Sequence, residues 1–152
     1  MSVRLGVISD THGLLRREVA DILKTCDEIL HAGDVNSPSI LDGLSAIAPL
    51  RVVRGNNDKE WAEHLPPMLL FEIEGVRLQM IHNRADLSKD LGDTQIIIFG
   101  HSHKYFQEII DGRLWLNPGS CGKRRFGLEI SLAILTLENG RWQVEKRLVP
   151  AG

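Results

Sequence analysis

Three times within the first 58 residues, an apolar run of strand length stops at a cluster of small and chelating side chains. Residues 3–9 lead into Asp10-Thr11-His12-Gly13, residues 28–32 into Gly33-Asp34, and residues 50–54 into Gly55-Asn56-Asn57-Asp58. Between the first two runs, Leu15, Val19, Ile22 and Leu23 recur at helical spacing, which predicts a crossover helix over residues 14–25. Between the second and third, Ser37-Pro38 supplies an N-cap and a first helical position for a helix running to about residue 47. Strands joined in this way build a mostly parallel sheet with right-handed crossovers. Ligands bind beyond the carboxyl ends of such strands, where Asp10, His12, Asp34 and Asn56 all fall.

The second half changes character. Residues 69–74 and 76–81 flank Glu74-Gly75 as a hairpin whose second strand ends at His82. Asp111-Gly112 and Asn139-Gly140 mark two more hairpins, over residues 105–116 and 130–148. Between them lies Ile96-Ile97-Ile98-Phe99, a run suited to a strand covered on both faces, which stops at Gly100-His101-Ser102-His103. In strand geometry the two histidines would point the same way; with a turn between them, each can face a different ion. Residues 58–67 are irregular, residues 86–91 have room for a short helix, and Asn117-Pro118-Gly119-Ser120 breaks the strand before it. Parallel units followed by hairpins predict an α/β fold of four layers, an α/β/β/α sandwich with two mixed sheets flanked by helices, spanning 1–152 as a single domain.

Composition narrows the function classes. A hydrophobic fraction of 43% and a charged fraction of 25% are those of an ordinary globular chain, and a net charge of −2 argues against broad binding of nucleic-acid polymers, which usually shows as a basic face. Cys26 and Cys121 form no C-x-x-C pair, so neither a disulfide framework nor a cysteine zinc site is expected. The chain enters its first strand without a signal-peptide pattern and has no bilayer-spanning run, so a cytoplasmic protein that does not bind membranes is expected.

Five strand-end clusters of metal-competent side chains, Asp10-x-His12, Gly33-Asp34, Gly55-Asn56, His82 and Gly100-His101-x-His103, are improbable by chance. In this order they resemble the motifs of the calcineurin-like metallophosphoesterases. Gly55-Asn56-Asn57-Asp58 and Asn117-Pro118-Gly119-Ser120 with Arg124 and Arg125 look like the small bacterial and archaeal phosphodiesterase branch. The resemblance implies that Asp10, His12, Asp34 and His103 hold one divalent ion and Asp34, Asn56, His82 and His101 the other, with Asp34 bridging. It also implies a homodimer or homotetramer. Oxygen and imidazole donors without thiolate suit Mn²⁺, Ni²⁺, Fe²⁺ or Zn²⁺ alike, and the sequence does not choose among them; Mn²⁺ is taken as the expected ion.

Two such ions acidify a shared water into a hydroxide nucleophile. Counting Asp10, Asp34 and that hydroxide against them leaves about +1, which attracts a phosphodiester monoanion. Asn57 stands where related phosphatases carry a histidine thought to protonate the leaving group, and an amide cannot do so. The expected activity is therefore a dinuclear metal-dependent phosphodiesterase acting on small diesters, with Asn57, Asp58 and His82 as candidate catalytic residues beside the ligands. Asp58 orients a ligand or caps its turn. The alternatives are a phosphomonoesterase and a non-catalytic scaffold like the retromer subunit of the same fold. Arg124 or Arg125 reaches substrate phosphate or stays solvated; His31, His64, Trp61, Trp115 and Trp142 are read as structural.

Overall fold

The computed structural model describes residues 2–124 and 127–150. Ten strands form two mixed five-stranded sheets. The first sheet takes β1 (Val3–Ile8), β2 (Glu28–His31), β3 (Leu50–Val52), β9 (Ser131–Glu138) and β10 (Arg141–Leu148), in the order β10-β9-β1-β2-β3. Strands β1, β2 and β3 are parallel, as the strand-helix repeat predicts, and the β9–β10 hairpin adds to β1 antiparallel. The second sheet takes β4 (Met68–Ile73), β5 (Val76–Ile81), β6 (Ile96–Ile98), β7 (Tyr105–Ile110) and β8 (Arg113–Pro118), in the order β4-β5-β6-β8-β7.

Side-chain alternation assigns the layers. Leu5, Val7 and Leu30 point from the first sheet, and Leu78, Met80, Ile96 and Ile98 from the second, into one apolar layer between them. Ile8 and Ile29 point the other way, onto α1 (Arg17–Leu23) and α2 (Pro38–Ser45) through Val19, Leu23, Ile40 and Leu44. The outer face of the second sheet carries Ile97, Phe99 and Ile81 under Leu87 and Leu91. Helices are few. That outer face is covered by a loop with a single 3-10 turn, Arg84–Asp86. Trp61, Trp115 and Trp142 each pack against one of the three clusters, as structural residues would. His64 is exposed.

Several elements differ from their expected extents. Helix α1 starts only at Arg17, because Gly13 takes a left-handed φ of 80° and Leu14 closes a turn on Thr11. Helix α2 ends at Ser45, and Ser37 does not cap it with its side chain, whose hydroxyl pairs with that of Ser39 at 2.8 Å. No helix forms over 86–91. There Ser88 accepts from the Asp90 amide and Asp90 from the Gly92 amide, local bonds that compete with helical ones. Asn117 and Pro118 extend β8 rather than breaking it, since Pro118 sits at the last position, where no ladder donor is needed.

Candidate metal centre

Strands β1, β2 and β3 end at one rim, and the second sheet brings the ends of β5 and β6 against it. The His82 Nδ1–H donates across the seam to Ala32 O (2.7 Å), while the Gly100 amide donates to His82 O (2.9 Å) within the second sheet's rim and the Asp10 amide to Gly33 O (2.9 Å) within the first's. Strain concentrates there. Among the described residues, nine other than glycine have positive φ; three of them, Glu74, Asp111 and Asn139, open the hairpin turns. The other six are Asp10, His12, Asp34, Asn36, His101 and His103, and a left-handed residue other than glycine persists only where its surroundings impose it.

Asp10 is fully buried. Its Oδ2 accepts from Ser9 Oγ (2.7 Å) and the His101 amide (3.2 Å). Its Oδ1 has no hydrogen-bond partner, and faces Nε2 of His12 at 3.5 Å, of His103 at 3.5 Å and of His82 at 3.8 Å. Asp34 Oδ2 lies 3.2 Å from His82 Nε2 and 3.6 Å from His12 Nε2. Two compact donor groups result, Asp10-His12-His103 and Asp10-Asp34-His82, each with all its ligand atoms within 4.8 Å of one another. The resemblance implies a bridging Asp34; here Asp34 faces a member of each implied ligand set, and Asp10 is common to both compact groups. Asn56 and His101 pair at the exposed edge, Oδ1 to Nδ1 at 3.2 Å, with the His101 ring edge-on to His82 at 5.3 Å.

The donor set fits divalent ions for an electrostatic reason. Because Ala32 O fixes the proton of neutral His82 on Nδ1, the Nε2 lone pair is aimed at two carboxylates, and only a proton or a cation between them makes that arrangement favourable. Burial alone would lower the His82 pKa, but the Asp34 bond and the charges of Asp10 and Asp34 outweigh it and raise the value. Burial would likewise raise Asp34, yet the His82 bond, the Asn57 amide and the charges of His82 and His12 bring it down to about 2.

Neighbouring residues hold the ligands in place. The buried Asp58 carboxylate accepts from the amides of Asp34 (3.0 Å), Gly55 (2.9 Å) and Asn36 (2.8 Å), which locks the ends of β2 and β3 together. The Asp58 carboxylate thereby fixes the backbone that carries Asp34. Asn57 is exposed, but its backbone amide and Nδ2 both donate to Asp34, at 2.8 and 3.2 Å. Gly55 is required because a Cβ there would strike the Asp34 amide and Oδ1.

Three further contributors stand out in the sequence only as a loop asparagine, the first residue of Asn117-Pro118-Gly119-Ser120 and a strand histidine. Asn36 Nδ2 lies 2.9 Å from His12 Nδ1, and a half-turn of that amide would make it an acceptor and free Nε2 for an ion. Asn117 donates to Gly100 O and Ser102 Oγ, both at 3.1 Å, and so props the His101–His103 turn. His31 bonds Thr11 Oγ1 (3.0 Å) beneath it. Cys121 is buried, and burial pushes its thiol to about 12, so it is inert. Arg124 is exposed and donates to Leu128 O and Gly127 O of its own loop; Arg125 lies outside the described residues.

Residues 3–140 match the calcineurin-like phosphoesterase superfamily domain. The chain belongs to this family. A probable metallophosphoesterase of Methanothermobacter thermautotrophicus is 38% identical over 131 residues, 76% of each chain. Among solved structures, an archaeal phosphodiesterase is 21% identical and superposes with a TM-score of 0.77 over 96% of this chain and 99% of its own. The vacuolar sorting protein Vps29 of Cryptosporidium parvum is 19% identical with a TM-score of 0.78, over 97% and 98%. Members of this metallophosphoesterase family bind divalent metals, and the two donor groups supply side chains suited to that. Among the described residues, no helix is long and apolar enough to cross a membrane.

Proposed function

We propose that this metallophosphoesterase is a phosphodiesterase that works with two divalent ions, Mn²⁺ first among the candidates. The observation that carries the reading is the buried, unpartnered Asp10 Oδ1 surrounded by three imidazole Nε2 atoms. Asp10, His12 and His103 would hold one ion, His82, Asn56 and His101 the other, and Asp34 would serve both. Bound there, the ions would supply positive charge for the phosphate and a water acidified toward neutral pH. Residues of the chain do the rest. Asp58 keeps Asp34 from rotating by fixing the backbone on either side of it. Asn57, whose backbone amide and Nδ2 donate to Asp34, positions that carboxylate, and a carboxamide is too weak an acid to protonate a leaving group. A monoanionic diester with an acidic leaving group suits such a site best. Two free, buried cysteines accord with a reducing cytoplasm.

The test is turnover of bis-p-nitrophenyl phosphate by Mn²⁺-loaded protein, against p-nitrophenyl phosphate and an alkyl p-nitrophenyl or dialkyl diester. Diester cleavage that requires metal, slows by about 10²-fold or more in Asp34→Ala and falls steeply with leaving-group pKa is expected. Faster cleavage of the monoester would favour a phosphomonoesterase. Metal binding without any turnover would favour a scaffold role of the kind the likeness to Vps29 raises.

A further inference from the structure

Beside the ligand cluster a cleft of about 360 Å³ opens, with His101 and Gly100 in its wall. Its other wall is built by Asn83 and Arg84, which follow His82 directly, and by Lys104, which follows His103. The Arg84 guanidinium lies over two aromatic rings, 5.2 Å from the centroid of Phe99 and 5.2 Å from that of Phe106. Phe99 is only 4% exposed, so this floor is fixed by the second sheet. No carboxylate lines the cleft, and no ion pair engages Arg84 or the Lys104 ammonium among the described residues. Other arginines are committed elsewhere: Arg54 to Asp58 O, Arg113 to Thr94 O and Gly92 O, Arg77 to Glu72 and Asp93.

Two cations without counter-charges, one of them laid on aromatic faces, are suited to an anion. A guanidinium oriented by its packing loses little freedom when its fork meets two oxygens, and phosphate matches that fork. Lys104 adds a point charge to the same cleft. We propose that this cleft is a subsite for a second phosphate, carried on one esterified arm of the diester, so that preferred substrates bear an additional phosphate close to the scissile one. The proposal rests on the phosphodiesterase reading for the scissile group, because the cleft and the ligand cluster share His101.

Thymidine 5′-(p-nitrophenyl phosphate), with and without a 3′-phosphate, isolates the second charge. In the Mn²⁺-loaded protein the 3′-phosphorylated ester is expected to have a kcat/KM at least about tenfold higher. In Arg84→Met and in Lys104→Met that ratio falls toward one, at melting temperatures equal to that of the parent. A ratio near one in the parent, or a ratio kept in both variants, overturns the subsite. If the parent cleaves neither ester, the phosphodiesterase reading falls, and the subsite is judged by calorimetric titration with thymidine 3′,5′-bisphosphate. Binding weakened about tenfold in the variants supports it; no binding to the parent, or equal affinities, overturns it.

Discussion

His31 shows how much of the centre is held by groups that touch no ion. The Gly33 amide donates to its Nδ1 (3.0 Å), so the ring proton sits on Nε2 and goes to Thr11 Oγ1 (3.0 Å), whose hydroxyl continues to Val35 O (3.3 Å). The ring is neutral and fully buried; burial pushes its pKa down to about 4, against the pull of the nearby Asp10 and Asp58 charges. The folded protein thus takes up this proton less readily than the unfolded chain, whose histidine titrates near 6.5. The contribution is complete above about pH 6.5 and is lost as pH falls toward about 4, by up to about 3 kcal/mol. Metal-free wild type should therefore lose more melting temperature between pH 7 and pH 5 than His31→Gln does, and equal losses would refute the assignment. At this scale the donors were legible because aspartate and histidine are conspicuous after an apolar run. Asn36 was not, because an asparagine in a turn looks the same whether it caps backbone or orients a ligand, and Asn117 was not, because beside Pro118-Gly119 it reads as a strand break when it is the end of β8.

The strands were readable to within about two residues of their ends, β3 stopping short at Val52 and β8 running on to Pro118, and the three hairpin turns carry positive φ where the sequence put them. Helix ends were less so: their boundaries depend on φ at Gly13 and on local bonds of Ser88 and Asp90. The turn Gly100-His101-Ser102-His103 is where an element is most exposed to damage. Gly100 has an ordinary φ, but a Cβ on it would strike Ser9 Oγ and come within 2.9 Å of Asp10 Oδ2. Gly100→Ala should displace Asp10 and, by disturbing ligand support, weaken metal binding about 10–100-fold with a loss of about 1–3 kcal/mol in stability. Calorimetric metal titration alongside thermal melting checks this; unchanged affinity would mean the crowding is absorbed elsewhere.

Over the whole molecule, the expectation of two mixed sheets could be drawn from parallel units followed by hairpins, but the placement of β8 between β6 and β7 could not. That pairing depends on long-range packing of Leu114 and Leu116 in the shared core. The donors divide between the sheets: Asp10, His12, Asp34 and Asn56 follow strands of the first, His82, His101 and His103 strands of the second. Metal bound across this seam, as proposed, would stabilise both. At a free concentration a hundredfold above Kd it would contribute about 2.7 kcal/mol, so chelation should lower Tm by roughly 5–10 °C, and no change would argue that the donors do not share an ion.

The split has a consequence for biosynthesis. A growing polypeptide that has delivered only its amino-terminal half owns Asp10, His12, Asp34 and Asn56, and the remainder arrive with His82, His101 and His103. With metal bound as proposed, full-strength coordination would be withheld until both halves have docked, and cofactor capture would act as a checkpoint on maturation.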